Sequence, residues 1–196
     1  MLENINSPRG FLVLIVGPSG AGKDSLINSA KVKDRYQKNL IFARRFITRP
    51  AAAGGEKHIP VNQASFDRRL KEKKFMLAWT AHGLSYGISA VYGMHLTRGI
   101  HVVANVSRTV IEDVRVSKIK HAIIHVTASE GVLADRLRQR GRESESDRSA
   151  RVSRTVQWDG GENVFTVIND GCFSDAEAKF DEHLSAIIKS DQLERL

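Results

Sequence analysis

The first hydrophobic segment of the chain, residues 11–16, is an unbroken apolar run without the alternation of a half-exposed strand. Such a run is typical of a parallel β-strand that is buried on both faces. Apolar residues then recur at helical spacing at Leu26, Ile27 and Ala30, which predicts a helix after a loop over residues 17–23. Further strands are predicted over residues 41–47, 75–80, 100–106, 122–127 and 164–168.

Helical patterns separate these strands. They are predicted over residues 65–73, 90–98, 130–140, 148–158 and 174–189. The last one starts with a capping-box sequence, in which Ser174 and Glu177 can each satisfy a helix amide. Strands that alternate with helices predict an α/β fold, with a parallel sheet covered by helices on both faces. The alternation is interrupted from residue 49 to about 88 and over residues 141–151, which predicts additions at one end of the sheet.

Composition excludes several classes of protein. Of the 196 residues, 41% are hydrophobic and 27% are charged, which predicts a globular domain and not a disordered or low-complexity chain. No apolar stretch approaches the roughly 20 residues that cross a bilayer, and the first ten residues lack the features of an export signal. The single cysteine, Cys172, has no partner for an intramolecular disulfide, so we expect a cytoplasmic protein in which this thiol is buried.

The charge balance favours polyanionic partners. Thirty Lys and Arg against 22 Asp and Glu give a net charge of +8. The excess is local, in a run of arginines at positions 136, 138, 140, 142, 148, 151 and 154. Arginines at helical spacing are usually a solvated face, which is the structural alternative for this cluster. Composition alone leaves nucleic acid, a membrane surface and small phosphorylated molecules as candidate partners.

The predicted loop after the first strand carries a phosphate-binding sequence. Between a buried strand and a helix, it matches the GxxxxGK pattern of a P-loop with Gly17, Pro18, Ser19, Gly20, Ala21, Gly22 and Lys23. Glycines let backbone amides turn toward the phosphates, the helix N-terminus adds positive potential, and the lysine follows the transferring phosphoryl group. The loop therefore predicts a sheet of the P-loop NTPase type and the binding of ATP.

The residue after the P-loop lysine departs from the usual pattern. A Ser or Thr that binds Mg²⁺ is expected there, whereas this chain has Asp24 followed by Ser25. Asp24 is a candidate ligand and Ser25 a weaker one, and the alternative is an acidic residue that only favours the helix N-terminus. The other usual ligand, an aspartate after an apolar strand, is replaced by Asn105. We hypothesise that the carboxylate has moved from the Asn105 position to Asp24.

Several separated motifs together resemble the guanylate kinase family of nucleoside monophosphate kinases over nearly the whole chain. Besides the P-loop, they are Thr48-Arg49-Pro50 followed by Gly55-Glu56, Tyr86-Gly87, the arginines Arg136, Arg140 and Arg151, and Ile168-Asn169-Asp170. The resemblance implies that Arg49, Glu56 and Tyr86 bind the acceptor, that Asn169 lies beside the adenine of ATP, and that the three arginines belong to a closing lid. It implies a single domain over residues 1–196, with its core in residues 11–48, 100–140 and 152–196, an acceptor-binding region over about 49–90 and a lid over about 141–151.

Three departures distinguish this chain from guanylate kinases. The predicted strand over residues 75–80 lacks the acidic residue that recognises guanine, and an aspartate pair is replaced by Asn105 and Ser107. Alanines stand at residues 51–53, where a second acceptor arginine is expected. A site without those carboxylates loses much of its discrimination for guanine. These features resemble one branch of the family, the ribose 1,5-bisphosphate phosphokinases of bacterial phosphonate degradation. The motifs that carry this resemblance are Gly22-Lys23-Asp24-Ser25, Trp79 with His82-Gly83-Leu84 and Tyr86-Gly87, and Asn105-Val106-Ser107-Arg108.

The resemblance to this branch implies that ATP and α-D-ribose 1,5-bisphosphate react to give ADP and 5-phosphoribosyl 1-diphosphate. The acceptor is a phosphate oxygen that is already anionic, so no general base is required and none is apparent in the sequence. Catalysis then depends on positioning and on charge neutralisation, with Mg²⁺ as the expected metal. The candidate catalytic residues are Lys23, Arg136, Arg140 and Arg151, and the candidate substrate-binding residues are Arg49, Glu56, His82, Tyr86, Asn105 and Ser107.

Other residues have simpler interpretations. His82 can contact the sugar or its phosphate, and a role in a turn is the alternative. His121 and His125 lie four residues apart on a predicted strand, where metal binding has little support. Trp79 and Trp158 are predicted to pack in the interior.

Three rival functions follow from the same residues. The protein can be a nucleoside monophosphate kinase with an unusual base pocket, a non-catalytic module that binds a phosphorylated peptide, or a nucleic-acid binder. The intact P-loop argues against the module, and the absence of interleaved aromatic and basic residues argues against nucleic acid. We therefore expect ATP and a small phosphorylated sugar as partners, and neither nucleic acid nor a membrane.

Overall fold

The computed structural model describes residues 8–50, 57–117, 119–140, 161 and 163–193, of which 140 and 191–193 are described by their backbone alone. The strands within these residues are β1 (Leu12–Val16), β2 (Leu40–Phe42), β3 (Arg45–Ile47), β4 (Ile59–Pro60), β5 (Phe75–Ala81), β6 (Leu84–Ser89), β7 (His101–Asn105), β8 (His121–Thr127) and β9 (Val164–Ile168). The helices are α1 (Lys23–Lys31), α2 (Asp34–Gln37), α3 (Gln63–Lys71), α4 (Val91–Thr97), α5 (Ile111–Arg115), α6 (Glu130–Arg140) and α7 (Phe173–Leu193), and a 3-10 helix spans Arg108–Val110.

Five of the strands form one parallel sheet in the order β2-β7-β1-β8-β9. The central strand is β1, the unbroken apolar run, and all five of its residues are buried. Helical connections link these parallel strands, which confirms the predicted α/β fold. Since the strands are parallel, the segments that follow β1, β7, β8 and β9 meet at one edge of the sheet, here called the carboxyl edge.

The remaining strands form a second sheet in the order β4-β3-β6-β5. Strands β5 and β6 are an antiparallel hairpin whose two turn residues, His82 and Gly83, have φ of 53° and 71°. Two consecutive positive φ values are typical of a type I′ turn, which suits the twist of a tight hairpin. The second sheet therefore fills much of the segment that interrupts the predicted alternation.

The single strand predicted over residues 41–47 is wrong, because it divides into β2 and β3 in different sheets. The break lies at Ala43 and Arg44. The Ala43 amide donates to the Val103 carbonyl oxygen at 2.8 Å, whereas the Arg44 amide donates to the Tyr92 hydroxyl at 2.9 Å. The chain thus leaves the parallel sheet at this point because its next amide has a side-chain partner elsewhere.

Strand β1 contributes to two hydrophobic cores. Val13 and Ile15 pack on the side of α1 and α7, whereas Leu12, Leu14 and Val16 face the opposite core. That opposite core also contains Met76, Leu77, Trp79 and Ile88 of the second sheet. Each fully buried side chain of this size contributes about 1.5–3 kcal/mol, so β1 joins the two sheets through apolar burial.

A polar cluster ties α7 to the segment around α1 and α2. Asp181 accepts hydrogen bonds from Arg35 at 2.5 Å and from the Tyr36 hydroxyl at 3.1 Å, and it also pairs with Lys33. Glu177, one turn earlier on α7, pairs with Lys33 at 2.8 Å and accepts from Ser29. Burial raises the pKa of Tyr36. The cluster fixes α7 against the first helices on the side of the sheet away from the hairpin.

The capping box predicted at the start of α7 is wrong. The helix begins at Phe173, one residue before Ser174, and the Asp175 amide donates to the Cys172 carbonyl oxygen at 3.2 Å. The hydroxyl of Ser174 lies 3.0 Å from the Cys172 sulfur instead of capping the helix. Cys172 itself is exposed in this turn, so the expected buried thiol is also wrong. Its hydrogen bond with Ser174 lowers the pKa of Cys172.

The described helices include none with both the length and the apolar composition that a membrane span requires.

Candidate active site

The loop between β1 and α1 is tightly packed against neighbouring strands at two glycines. Gly17 has a φ of 142°, and a Cβ atom built there would lie 1.9 Å from the Val126 carbonyl oxygen. Gly22 has a φ of 93°, and its Cβ would lie 2.3 Å from Nδ2 of Asn169. Both positions therefore require glycine for backbone conformation and for space. The predicted loop between a buried strand and a helix is confirmed.

Lys23 is the first residue of α1, and its side chain turns back across the loop. The Nζ atom donates to the carbonyl oxygens of Gly17 and Pro18, both at 2.7 Å. These contacts hold the ammonium group against the start of the loop, within the turn formed by the GxxxxGK sequence. The structure thus concentrates positive charge where loop amides and the helix N-terminus already favour an anion.

Asn169 supports this loop from the end of β9. Its side chain is only 3% exposed, and Nδ2 donates to the Ala21 carbonyl oxygen at 2.8 Å. The backbone amide of Asn169 donates to the Thr127 carbonyl oxygen at 2.8 Å, which links the turn to β8. The predicted nucleotide contact of Asn169 stays a prediction, whereas its role in bracing the loop is evident from these bonds.

Helix α6 brings Arg136 to the same loop. Its Nη1 atom lies 3.4 Å from the Gly20 carbonyl oxygen, to which it donates. Leu133, three residues before Arg136, and Leu137, the residue after it, are buried and anchor α6 beside the loop. Arg140 lies at the end of α6, and its side chain is outside the described residues, as are Arg151, Trp158 and the predicted lid and helix over residues 141–158.

Asp24 and Asn105 meet at the carboxyl edge of the sheet. Asn105 ends β7, and its Nδ2 donates to Oδ1 of Asp24 at 2.7 Å. Asn105 is 6% exposed, and its Oδ1 has no hydrogen-bond partner among the described residues. Ser25 is exposed, and Ser107 accepts from the Thr109 amide at 3.3 Å as the cap of the 3-10 helix. The sequence hypothesis paired Asp24 with Asn105, and the structure places them in contact.

Tyr86 lies at the centre of an aromatic stack on the second sheet. Its ring is parallel to that of Trp79, with the centroids 5.3 Å apart and an interplanar angle of 5°. The guanidinium of Arg45 lies 5.6 Å from the centroid of the Tyr86 ring. Trp79 is 9% exposed and belongs to the core, so its predicted packing role is confirmed.

Arg49 lies two residues beyond Ile47, which is paired with Tyr86 across the sheet. The Arg49 carbonyl oxygen accepts from Nε2 of the buried His58 at 3.0 Å, and Nε of Arg49 is buried without a hydrogen-bond partner in the described part of the chain. The structure therefore brings the predicted acceptor residues Arg49 and Tyr86 to neighbouring strands. Glu56 lies outside the described residues. Their contacts with an acceptor stay predictions, as does that of His82 in the hairpin turn.

Two residues at the carboxyl edge escaped the sequence prediction. Arg108 begins the 3-10 helix after β7, and burial lowers its pKa. His125 lies opposite Val16, the last residue of β1, and burial lowers its pKa, helped by the positive charges of Arg108 and Lys23. Their positions could have indicated a role in the site, because both follow or lie near the carboxyl end of a predicted parallel strand, where ligands tend to bind. The described residues contain no group of three or more His, Cys, Asp or Glu side chains that can hold a metal.

Comparison with known proteins gives matches over nearly the whole chain. The family model described as guanylate kinase matches residues 9–194. Ribose 1,5-bisphosphate phosphokinase PhnN of Brucella melitensis is 39% identical over 183 residues, which cover 93% of this chain and 95% of that protein. The protein of the same name from Rhizobium etli is 42% identical over 174 residues, with 87% of each chain covered.

Among solved structures, guanylate kinase from Anaplasma phagocytophilum superposes with a TM-score of 0.63. The match covers 94% of this chain and 87% of that one at 15% identity, so it supports the fold alone. The family model extends from the P-loop strand to α7. On these matches, this chain belongs to the guanylate kinase family, together with relatives that are named ribose 1,5-bisphosphate phosphokinase.

Proposed function

We propose that this protein is a kinase that transfers a phosphoryl group from ATP to the 1-phosphate of α-D-ribose 1,5-bisphosphate, forming 5-phosphoribosyl 1-diphosphate. The observation that carries the proposal is a complete phosphate loop next to an acceptor region in which β5 and the end of β7 carry no carboxylate. Strand β5 has no acidic residue, and the end of β7 carries Asn105 and Ser107 where guanylate kinases have aspartates. The relatives with this name support the assignment.

ATP is assigned to the carboxyl edge of the parallel sheet. Loop amides, the N-terminus of α1 and Lys23 provide the groups that bind the β- and γ-phosphates. Next to the loop, the turn after β9 exposes two apolar side chains, Ile168 at 64% and Phe173 at 41%. Exposed apolar surface beside a phosphate loop suits the faces of a nucleotide base.

Mg²⁺ is the metal that this chemistry requires, and the residues present fit it. Asp24 offers a carboxylate, and the buried Asn105 Oδ1 is an oxygen whose hydrogen bonding the described residues do not satisfy. Mg²⁺ needs only one or two protein oxygens, because phosphate and water supply the others. Bound there, the ion neutralises charge on the β- and γ-phosphates. Asp24 would hold it directly or through water, and Asn105 orients the carboxylate.

The acceptor is assigned to the side of the hairpin β5–β6. Arg49, Arg45 and Tyr86 provide two guanidinium groups and a hydroxyl for a sugar phosphate. A phosphate monoester carries a charge of about −1.5 to −2 at neutral pH, so its oxygen attacks without a base. The chain's contribution is to align donor and acceptor and to neutralise their charges.

Transfer requires the acceptor oxygen to bond to the γ-phosphorus as the bond to the bridging oxygen of ADP breaks. Lys23 and Arg136 approach the loop from α1 and α6, where they can neutralise charge that moves to the β-phosphate. We assign Arg140 and Arg151 to a lid over about residues 141–151 and the acceptor region to about residues 49–90. In the cell we assign the reaction to phosphonate degradation in the cytoplasm.

Phosphorus NMR tests the proposed activity. Purified protein and Mg·ATP are incubated with ribose 1,5-bisphosphate in one tube and with GMP in another, and Lys23→Ala in both tubes controls for contaminating kinases. Diphosphate signals from the sugar alone, absent with the variant, are expected. GDP formation alone would make the protein a nucleoside monophosphate kinase, and no product in either tube would favour a binding module.

A further inference from the structure

Three nitrogen-bearing side chains converge where β1 ends. Lys23 folds back onto the start of the loop, and His125 lies on β8 directly opposite Val16. Arg108 follows β7, whose residue Asn105 is opposite Ile15. The two strands that flank β1 thus deliver a guanidinium and an imidazole to the two sides of the P-loop strand. The strand register therefore places Lys23, Arg108 and His125 around the end of β1, and the charges of Arg108 and Lys23 help burial to lower the pKa of His125.

The position of Arg108 is set by its neighbours in the chain. Val106 and Val110 are buried on either side of it, and the Ser107 hydroxyl caps the intervening 3-10 helix. The Val106 amide also donates to the Ile15 carbonyl oxygen at 3.0 Å. Arg108 therefore projects from a short segment that is fixed to the end of β1, and its guanidinium is partly withdrawn from water.

We propose that Arg108 and His125 form, with Lys23, the site that holds the accepting phosphate, the 1-phosphate of the sugar under the proposed function. Binding of the ATP phosphates does not require Arg108 or His125, because the loop amides and Lys23 are already assigned to those phosphates. A sugar bisphosphate brings about twice the charge of a monophosphate, and the basic residues of the second sheet are available for its 5-phosphate.

The two side chains have different parts. Arg108 offers two parallel N–H groups, which match two oxygens of a phosphate and neutralise its charge. His125 is kept neutral at pH 7 by burial and by the charges of Arg108 and Lys23, so it donates one N–H without adding charge. The accepting oxygen stays deprotonated and nucleophilic, because a guanidinium and a neutral imidazole are much weaker acids than a phosphate monoester and do not protonate it. These residues bind and position the acceptor while the bond to the γ-phosphorus forms.

Ligand dissection by calorimetry tests this site. Wild type, Arg108→Gln and Arg108→Lys are titrated with ribose 1,5-bisphosphate, ribose 1-phosphate, ribose 5-phosphate and ADP. For Arg108→Gln, we expect affinity for the first two to fall by about 10–100-fold, and affinity for ribose 5-phosphate and ADP to change less than about twofold. Arg108→Lys should recover part of the lost affinity, because lysine keeps the positive charge but lacks the two parallel N–H groups of the guanidinium. His125→Gln should show the same ligand pattern with a smaller loss.

The matched control is Arg98→Gln, which removes the same charge from an exposed position just before β7, at the opposite edge of the sheet. It should bind all four ligands like the wild type, and thermal unfolding should show every variant folded. Equal losses for all ligands, or a loss confined to ADP, would overturn the assignment of Arg108 to the accepting phosphate. Unchanged binding of ribose 1-phosphate would do so as well. If the wild type itself binds no sugar phosphate, the proposed function fails.

Discussion

Under the proposed function, the phosphate loop at the carboxyl edge of the parallel sheet and the acceptor side of the second sheet bind anions by different means. At the edge, backbone geometry dominates, because Gly17 and Gly22 leave no room for side chains and Lys23 is held by loop carbonyls. On the second sheet, side chains dominate, as in the stack of Trp79 and Tyr86. A backbone site recognises the phosphates that all nucleotides share. A side-chain site changes with single substitutions, which lets the acceptor differ while the fold and the donor stay the same.

The largest effect that distinguishes the two regions should come from Lys23→Ala. We expect kcat to fall by about a thousandfold, because the ammonium neutralises charge that develops during transfer. The melting temperature should change by less than about 3 °C, since the side chain is only partly buried and its hydrogen bonds to the Gly17 and Pro18 carbonyl oxygens lie within one loop. Steady-state kinetics and calorimetry provide the two values. A kcat within about tenfold of wild type would remove Lys23 from the transfer step.

Arg49→Gln should affect the acceptor side alone. We expect KM for the acceptor to rise by about 30-fold, because a charged hydrogen-bond donor to phosphate is lost, with KM for ATP unchanged. The control is Arg68→Gln on the exposed face of α3, which removes the same charge near the same sheet. Initial rates with each substrate varied in turn provide the comparison. A rise in KM for ATP of similar size would place Arg49 on the donor side.

Asp24→Asn should have an intermediate effect, and it tests the exchange of carboxylate and amide between positions 24 and 105. We expect the Mg²⁺ concentration for half-maximal rate to rise by about tenfold, because a charged oxygen ligand becomes neutral. Electron paramagnetic resonance of Mn²⁺ with ADP should show the same loss of affinity without turnover. Asp34→Asn, at an exposed site on α2, is the control. An unchanged metal titration would contradict the assignment.

The smallest effect should come from Glu177→Gln, far from both regions. Hydrogen bonds from Lys33 and Ser29 lower the pKa of Glu177 from its ordinary 4.5. Its stabilising contribution is therefore complete above about pH 4.5 and is lost as the pH falls through the lower value of the folded state. Melting temperatures between about pH 3 and pH 6 should fall more steeply for the wild type than for the variant. Parallel curves would show that Glu177 contributes nothing to the acid sensitivity.

Local patterns were sufficient for most strands of the parallel sheet and for its longer helices. Strand β9 and helix α6 match their predicted ranges, 164–168 and 130–140, because apolar spacing and a following glycine mark them within the chain itself. The divided strand at Ala43 was not predictable in this way, since its cause is the hydroxyl of Tyr92, which is distant in sequence. The capping box predicted at the start of α7 was wrong for another reason, because the Ser174 hydroxyl bonds to the Cys172 sulfur and not to a helix amide.

The residues of the candidate site were likewise predictable only where the signal lies within a short stretch of sequence. The P-loop could be predicted because its function is contained in seven consecutive residues. The sequence supported the hypothesis that a carboxylate moved from position 105 to Asp24, whereas the hydrogen bond between Asp24 and Asn105 became evident only in the structure. Arg108 and His125 were not predicted as site residues. Each lies near the carboxyl end of a predicted strand, but the order of those strands on either side of β1 is not contained in either local sequence.

Strand β1 anchors the phosphate loop firmly, because every side chain from Leu12 to Val16 is fully buried and the strand contributes to both hydrophobic cores. Its amides can exchange with solvent only when both cores open together, so the loop is anchored to the last part of the chain to unfold. A bound nucleotide is therefore expected to raise the free energy of global unfolding and not only the free energy of a local opening of the loop. Hydrogen exchange in this one strand should then report the occupancy of the whole site.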